Sequence, residues 1–369
     1  MYDLIITGAG PAGSSAARAA ARMGLKTLIL EKETFPRYKP CGGALSERAA
    51  SLLDFPLPQD ICERSITGVR VHLGGRTIER HKGYRLTTLV TRSSFDQYLL
   101  ERAEEAGAIH LTGRVLGYRE EGDHVSVLTR DGEHRSRFLI VASGCQDRLG
   151  RNAGAGVRMG LSVLAEIPED DGRIEERLSG CLDLHFDVAG MGYGWIFPHR
   201  GYYSVGIWGL GPGNARARML QFLISCGFEG SYRLHGHRIP MGAGGRMVAS
   251  GRVLRAGDSA GFVDPFTGEG IYYALLSGQL AARAVAEDEP DGVARRYQAS
   301  CRRAILGELR SAWLLSRLVH SHREALLRGV VSQEEALDRY IGIAASRGTY
   351  GEFLGWLLRR IPLSILHSI

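Results

Sequence analysis

Lysine is scarce. Lys26, Lys32, Lys39 and Lys82 are the only four among 46 basic residues, and the rest are arginine, a bias that reads as codon composition. The arginines alternate with 40 acidic residues along the whole length, with no basic block and no aromatic-interleaved basic groove, which excludes nucleic acid as a partner. Cysteine is sparse too. Cys41, Cys62, Cys145, Cys181, Cys226 and Cys301 lie far apart without a C-x-x-C pair, which argues against a zinc ribbon, a disulfide framework and an iron–sulfur cluster. The 12 histidines show no H-E-x-x-H or similar ligand spacing, so no metal is expected, and no G-x-S-x-G marks a nucleophile. No apolar run reaches the roughly 18 residues a membrane span requires. The apolar start ending at Ile6 runs too soon into a glycine turn to be a signal peptide, so the expected compartment is the reducing cytoplasm. The 12 prolines are scattered and the 49 glycines follow no G-X-Y period, so glycine serves turns and close backbone approaches.

What is present suffices for a large core. With 369 residues, 44% apolar and 23% charged, the chain is long enough for about two domains. Tyr2 to Thr7 reads as a strand, Gly8-Ala9-Gly10-Pro11-Ala12-Gly13 as a turn, Ser14 to Met23 as a helix and Lys26 to Leu30 as a second strand ended by Glu31. An acid about 20 positions after a G-x-G-x-x-G that links strand to helix is the dinucleotide arrangement. Gly8 permits the tight turn, Gly10 lets a pyrophosphate approach the helix N-terminus, Gly13 lets helix and strand pack closely, and Glu31 accepts from ribose hydroxyls.

Beyond the loop holding Pro36 and Pro40, Ala44 to Leu53 reads as helical, and Thr67–His72 with Arg76–Lys82 as a hairpin turning at Gly74-Gly75. A short strand at Leu86–Val90 precedes a helix at Ser93–Ala106, and strands follow at Ala108–Leu111, Val115–Glu120, His124–Thr129 and Arg137–Val141. Gly160 to Ile239 is β-rich; Val253–Ala256 then reads as a buried strand and Gly270–Ala286 as a helix, with helices from Pro290 onward and a capping box at Ser332 and Glu335. The fold class is therefore α/β: a Rossmann-like domain of residues 1–65, 86–155 and 247–290, an inserted antiparallel β-rich domain of 66–85 and 156–246, and a helical region of 291–369.

Three further motifs carry chemistry. Arg92, in Thr91-Arg92-Ser93-Ser94-Phe95-Asp96, stands at a helix entrance where it can pair with a diphosphate or serve as an ordinary cap. Asp258, in Ala256-Gly257-Asp258-Ser259, directly follows a buried strand, where an acid can accept from the ribityl hydroxyls of a flavin. Gly268-Glu269-Gly270 then opens a helix that aims N–H groups at the electron-rich edge of such a ring. The last motif is Tyr38-Lys39-Pro40-Cys41-Gly42-Gly43. Tyr193, Trp195 and Phe197 alternate along one strand, so three aromatics share a face before Pro198, either as core or as the apolar wall of a cavity.

Together these motifs resemble the flavoproteins that share the aromatic-hydroxylase fold. The Cys-Gly-Gly loop and Tyr193-Gly194-Trp195-Ile196-Phe197-Pro198 make residues 1 to 290 similar to the geranylgeranyl reductase family, whose Y-x-W-x-F-P motif is followed by a G-x-G. Here Gly206 occupies the first glycine position and Trp208 the second. A second departure is Ala142-Ser143-Gly144, where many relatives of the wider fold have Asp before the glycine. The resemblance implies FAD as cofactor, held by Gly8, Gly10, Ala12, Gly13, Glu31, Lys32, Cys41, Gly42, Gly43, Arg92, Val115, Gly144, Gly257, Asp258, Gly268, Gly270 and Ile271. It also implies saturation of C=C bonds in a prenyl lipid, quinone or pigment precursor bound by Tyr193, Trp195, Phe197 and Pro198, with Cys41, Tyr193 and Trp195 as catalytic candidates. The implied electron donor is NAD(P)H or reduced ferredoxin. The alternatives are a flavin monooxygenase or halogenase and a non-catalytic electron carrier; Tyr193 and Phe197 depart from the halogenase W-x-W-x-I-P pattern. The apolar and Arg-bearing segment Phe353–Leu366 reads either as core cover or as a peripheral membrane contact.

Overall fold

The computed structural model describes residues 1–145, 149, 158–210, 213–242, 247–287, 292–321 and 334–360. The first six residues of regular structure, Tyr2–Thr7, are flanked in parallel by Thr27–Glu31 on one side and Glu133–Val141 on the other. Val253–Arg255 extends the sheet in parallel beyond Glu133–Val141, and Ile109–Thr112 extends it beyond Thr27–Glu31. Leu4–Ile6, Leu28–Leu30 and Phe138–Val141 are continuous apolar runs because both sheet faces are covered there, while Ile109 and Leu111 on the edge strand are exposed. Val115–Glu121 and His124–Thr129 meander antiparallel onto Glu133–Val141, and Ala249–Ser250 closes the far edge.

On one face of this sheet the helix Pro11–Arg22 packs against the helix Ile271–Ala286, although some 250 residues separate them in sequence. Small residues allow the approach: Ala12, Ala16, Ala17 and Ala20 meet Ala274, Ala281 and Ala282 in one buried cluster. A Cβ at Gly278 would run into the Ala12 carbonyl. Two segments some 250 residues apart thus build one layer, and what lies between is threaded through it.

A second sheet of seven strands runs in the order His235–Met241, Arg158–Pro168, Tyr202–Leu210, Met191–Pro198, Cys181–His185, Gly68–Leu73 and Arg76–His81. It is antiparallel except where Cys181–His185 pairs with Gly68–Leu73. The expected hairpin at Gly74-Gly75 is present as its edge. A small third sheet pairs Thr87–Leu89 with both Ala44–Ser46 and Arg64–Ile66.

That sheet corrects the helix expected over Ala44–Leu53. Ala44–Ser46 is strand, and only Glu47–Ala50 is helical, capped by Ser46 Oγ accepting from the Ala49 N–H at 3.2 Å. A short apolar run suits either period, and pairing with Thr87–Leu89 decides it.

Beyond residue 290 the described chain is helical at Val293–Cys301, Gly307–Ser321, Glu334–Ala344 and Tyr350–Leu358. Ser332 of the expected capping box lies outside the described residues. Glu335 instead takes Arg339 and the Trp356 indole N–H, while a capping box forms at Thr349 and Glu352. Phe353, Trp356 and Leu357 are buried in the cluster that also holds Trp195, Phe197 and Trp208, so this part of the terminal segment covers the core. Residues 361–366 of that segment lie outside the described residues. No described helix is long and apolar enough to cross a membrane.

Candidate active site

A groove crosses the C-terminal ends of the parallel strands. Gly8 turns the chain at φ +94°, and a Cβ there would stand 2.6 Å from the Ala142 carbonyl oxygen. Gly10 caps the helix Pro11–Arg22, and a Cβ on it would meet only Arg37 Nη2, at 3.5 Å, so the space in front of the helix N-terminus is open. Gly13 lies outside the groove lining: its missing side chain leaves room for the Gly8 carbonyl. Glu31 closes the turn by accepting from the Ala9 N–H at 2.7 Å and the Glu33 N–H at 3.0 Å, and its remaining lone pairs face the groove.

Lys32, Val115, Gly144 and Asp258 line the same groove, which encloses about 380 Å³. Ala12 does so as well. Two buried hydroxyls at this place, Thr7 Oγ1 and Ser143 Oγ, have no hydrogen-bond partner among the described residues. An open helix N-terminus, an acid at the second strand and idle hydroxyls are the donors and acceptors a dinucleotide takes up.

The groove opens into a second cavity of about 270 Å³. Pro11, Lys39, Pro40, His237, Asp258 and Ala274 line both. Burial, with the nearby Lys39 charge, lowers the His237 pKa to about 4 against the opposing pull of Asp258, so the imidazole at this junction is neutral near pH 7. Cys41, Gly42 and Gly43 form one wall, with Gly268, Gly270 and Ile271 around the helix start opposite. Gly257 is buried and packs on Ala12 instead of lining either space.

The alternating aromatics do share one cavity: Tyr193, Trp195 and Phe197 all line it, their rings 6.5 and 6.1 Å apart in sequence. A Cβ at Gly42 would stand 2.9 Å from Phe197 and 3.3 Å from Trp195 Nε1. A Cβ at Gly206 would enter the Trp195 indole, 2.7 Å from Cε2, which is why the first glycine of the G-x-G must stay bare. Trp208 pairs with Tyr193 across the strands, its ring edge-on at 5.8 Å and against Gly268, so the residue in place of the second glycine puts an indole into the cavity. Val69, Leu86, Leu182 and Leu184 complete an apolar lining. Pro198 ends the strand opposite Tyr203 and lies outside that lining.

Arg92 pairs within its own helix. It begins the helix Arg92–Glu105, but its Nε and Nη2 each donate to Asp96 at 2.7 Å, and it lines the apolar cavity beside Cys41 instead of the groove. Burial pushes the Asp96 carboxyl up, and Arg92 and Arg37 together hold it lower still than its ordinary value. Arg37, bonded to Asp96 at 2.9 Å, is the guanidinium that stands in the groove near Gly10. The i, i+4 spacing of Arg92 and Asp96 was readable as an ion pair.

Sequence reasoning also missed the far end of the cavity. Arg48 binds Glu269 and stands 3.7 Å from Asp264 Oδ2, with Tyr340 and Tyr350 beside it. Asp264 is fully buried, and burial raises its pKa against the pull of Arg48. Tyr193 donates to the Thr267 carbonyl at 2.6 Å, and burial holds its phenol protonated.

Residues 3–189 match the family of FAD dependent oxidoreductases. The geranylgeranyl diphosphate reductase of Rhodobacter capsulatus is 33% identical over 297 residues, which cover 77% of this chain and 74% of the relative. This chain belongs to the geranylgeranyl reductase family of FAD-dependent oxidoreductases. The menaquinone reductase of Mycobacterium tuberculosis is 32% identical over 344 residues, 80% of each chain. Among solved structures, a geranylgeranyl bacteriochlorophyll reductase-like protein from Thermoplasma acidophilum superposes with a TM-score of 0.80 over 100% of this chain and 98% of that one, at 22% identity. As a member of this family the protein is a flavoenzyme with FAD as its cofactor, and the groove, with its open helix N-terminus, Glu31 and idle hydroxyls, fits that group.

Proposed function

We propose that this enzyme saturates C=C bonds of a prenyl chain carried on a lipid, quinone or pigment precursor. One observation carries the reading: an apolar, aromatic-lined cavity shares six lining residues with the dinucleotide groove, so an extended hydrocarbon in the one lies beside a cofactor in the other. Reduced FAD, when bound, supplies a hydride. An isolated alkene has no carbonyl to polarise, so the chain itself must supply dryness, a fixed separation and a proton. Trp195, Phe197, Trp208 and Leu184 exclude water. Of the two proton carriers, Tyr193 spends its hydrogen on the Thr267 carbonyl, which favours the Cys41 thiol in the cavity wall. We assign cofactor contacts to Gly8, Gly10, Ala12, Glu31, Lys32, Val115, Gly144 and Asp258, and place Arg37 at the diphosphate in the stead of Arg92.

No second dinucleotide fingerprint follows Asp258, so the electron donor is read as a transient visitor, NAD(P)H or reduced ferredoxin. The enzyme is read as cytoplasmic, working at a membrane surface when its substrate lies there. Photoreduced enzyme incubated anaerobically with geranylgeranyl lipids should reoxidise and yield products two hydrogens heavier per bond by mass spectrometry. Turnover that requires oxygen would replace this reading with a monooxygenase or halogenase, and no turnover with any prenyl lipid would favour an electron carrier.

A further inference from the structure

We propose that the pair of buried His199 and half-buried Glu63 is a positioning unit: its grip on the Gly42 carbonyl turns the Gly43 N–H onto the Cys41 sulfur and so sets that thiol in the cavity wall. The inference rests on reading Cys41 as part of the active site.

His199 follows the strand Met191–Pro198 directly and is 1% exposed. Its ring stacks on Tyr202 at 4.6 Å and 14°. The backbone around it is pinned: the His199 N–H donates to the Tyr202 carbonyl at 2.9 Å, Arg64 Nε donates to the His199 carbonyl at 3.0 Å, and the Glu63 N–H donates to the Leu89 carbonyl at 2.9 Å. The imidazole therefore has one orientation. In it Nδ1 meets the Glu63 carboxylate and Nε2 lies 3.0 Å from the Gly42 carbonyl oxygen.

Counting hydrogens makes the pair a unit. A backbone carbonyl only accepts, so Nε2 carries a hydrogen; the Nδ1–Glu63 contact then needs a second one, on the ring or on the carboxyl. The pair holds a proton on each contact and is neutral overall, which suits the buried imidazole, where a lone charge would be penalised.

The effect passes through one rigid plane. In a trans peptide the carbonyl and the following N–H point in opposite directions. Fixing the Gly42 oxygen on His199 therefore aims the Gly43 N–H away from it, and that N–H donates to Cys41 Sγ at 3.4 Å. Two adjacent glycines would otherwise let this peptide rotate at little steric cost. The remaining contacts do not replace the grip: the Val90 N–H donates to the Gly43 carbonyl at 2.9 Å, which holds the following peptide plane, and Gly43, at φ +73°, is backed by the Val90 carbonyl and by His199 itself, where a Cβ would stand 2.7 Å from Cε1. Phe197 and Trp195 press on Gly42 from the cavity side.

The test is made on the FAD-loaded enzyme without prenyl turnover, so its outcome does not depend on the substrate being right. Amide exchange by mass spectrometry and site-resolved alkylation of Cys41 by iodoacetamide are compared in Glu63→Leu, Glu63→Gln and His199→Gln. Glu63→Leu should speed exchange in the peptide spanning residues 38–44 by about tenfold and change the Cys41 alkylation rate at least threefold, with the rest of the chain as in wild type. Glu63→Gln should hold wild-type values, because a glutamine amide donates to Nδ1 and leaves Nε2–H on Gly42. His199→Gln, whose amide can reach the same carbonyl, should fall nearer wild type than Glu63→Leu. Unchanged local exchange and alkylation in Glu63→Leu would overturn the proposal, as would exchange that rises equally across the whole chain or a Glu63→Gln variant as loose as Glu63→Leu.

Discussion

Truncating Trp208 separates a cavity-lining role from simple packing. Its indole is 3% exposed, lies edge-on to Tyr193 and rests on Gly268, so Trp208→Ala removes nearly a whole aromatic side chain from contact. At about 150–250 Å² buried per aromatic and about 25 cal/mol per Å², the upper bound is about 4–6 kcal/mol. Measured truncations of this kind cost about 3–5 kcal/mol. The lower end is expected here, about 3 kcal/mol, for two reasons stated by the structure. The indole Nε1 has no hydrogen-bond partner among the described residues, so no polar group is orphaned, and the ring already borders open space and not close-packed core. The space released adjoins Gly268 in the cavity wall. A prenyl chain should then seat in more than one register, giving a mixture of partly reduced products where wild type gives one, while FAD occupancy stays near wild type. Urea denaturation of the loaded protein gives the stability loss, and mass spectrometry of the products gives the register. A loss under about 1 kcal/mol together with unaltered products would refute both the packing arithmetic and the place of Trp208 in the cavity.

Gly10→Val should abolish FAD binding with the fold intact, since its Cβ meets only Arg37 and the branch fills the approach to the helix N-terminus; circular dichroism and flavin absorbance check this. Arg48→Met should cost about 3–5 kcal/mol at pH 7, because Glu269 and Asp264 are left buried without their counter-charge. The Asp264 pKa is already raised by burial, so its carboxyl favours the folded state below the unfolded pKa and disfavours it as pH rises through the folded one. Losing Arg48 raises it further, so the deficit in denaturation experiments should narrow from pH 7 to pH 5. Cys41→Ala should retain fold and FAD but slow reoxidation of the reduced enzyme by prenyl substrate about tenfold or more in stopped flow; an unchanged single-turnover rate would return Cys41 to packing.

The parts legible in the sequence are those whose geometry is local. Gly8, Gly10, Gly13 and Glu31 sit within one strand–turn–helix–strand unit, so spacing alone ties the turn to the acid that accepts from it. Tyr193, Trp195 and Phe197 share a face because a strand has period two. Where a residue's partner comes from elsewhere in the chain, spacing says nothing. His237 reaches the junction from an edge strand, and Glu63 meets His199 across 136 residues. Arg48 is buried only because Glu269 arrives from the other end of the chain. Ala44–Leu53 misled for a related reason: the run suits helix or strand, and Thr87–Leu89, 40 residues on, makes the choice. The Arg92–Asp96 pair was legible too, since Asp96 stands one helical turn away.

The packing of the helix Pro11–Arg22 on Ile271–Ala286 bears on how the protein is made. The glycine turn leaves the ribosome early, yet the layer that backs its helix, with Asp258 beside it, is synthesised some 250 residues later. At roughly 5–20 residues per second of translation, the nascent Ala12–Ala20 surface waits on the order of ten seconds or more for its partner. The inserted seven-stranded sheet is complete before then, apart from the helices that roof its cavity. FAD therefore has no finished site to enter during most of synthesis, and a chain arrested before Gly278 would leave an alanine-faced helix for chaperones to shield.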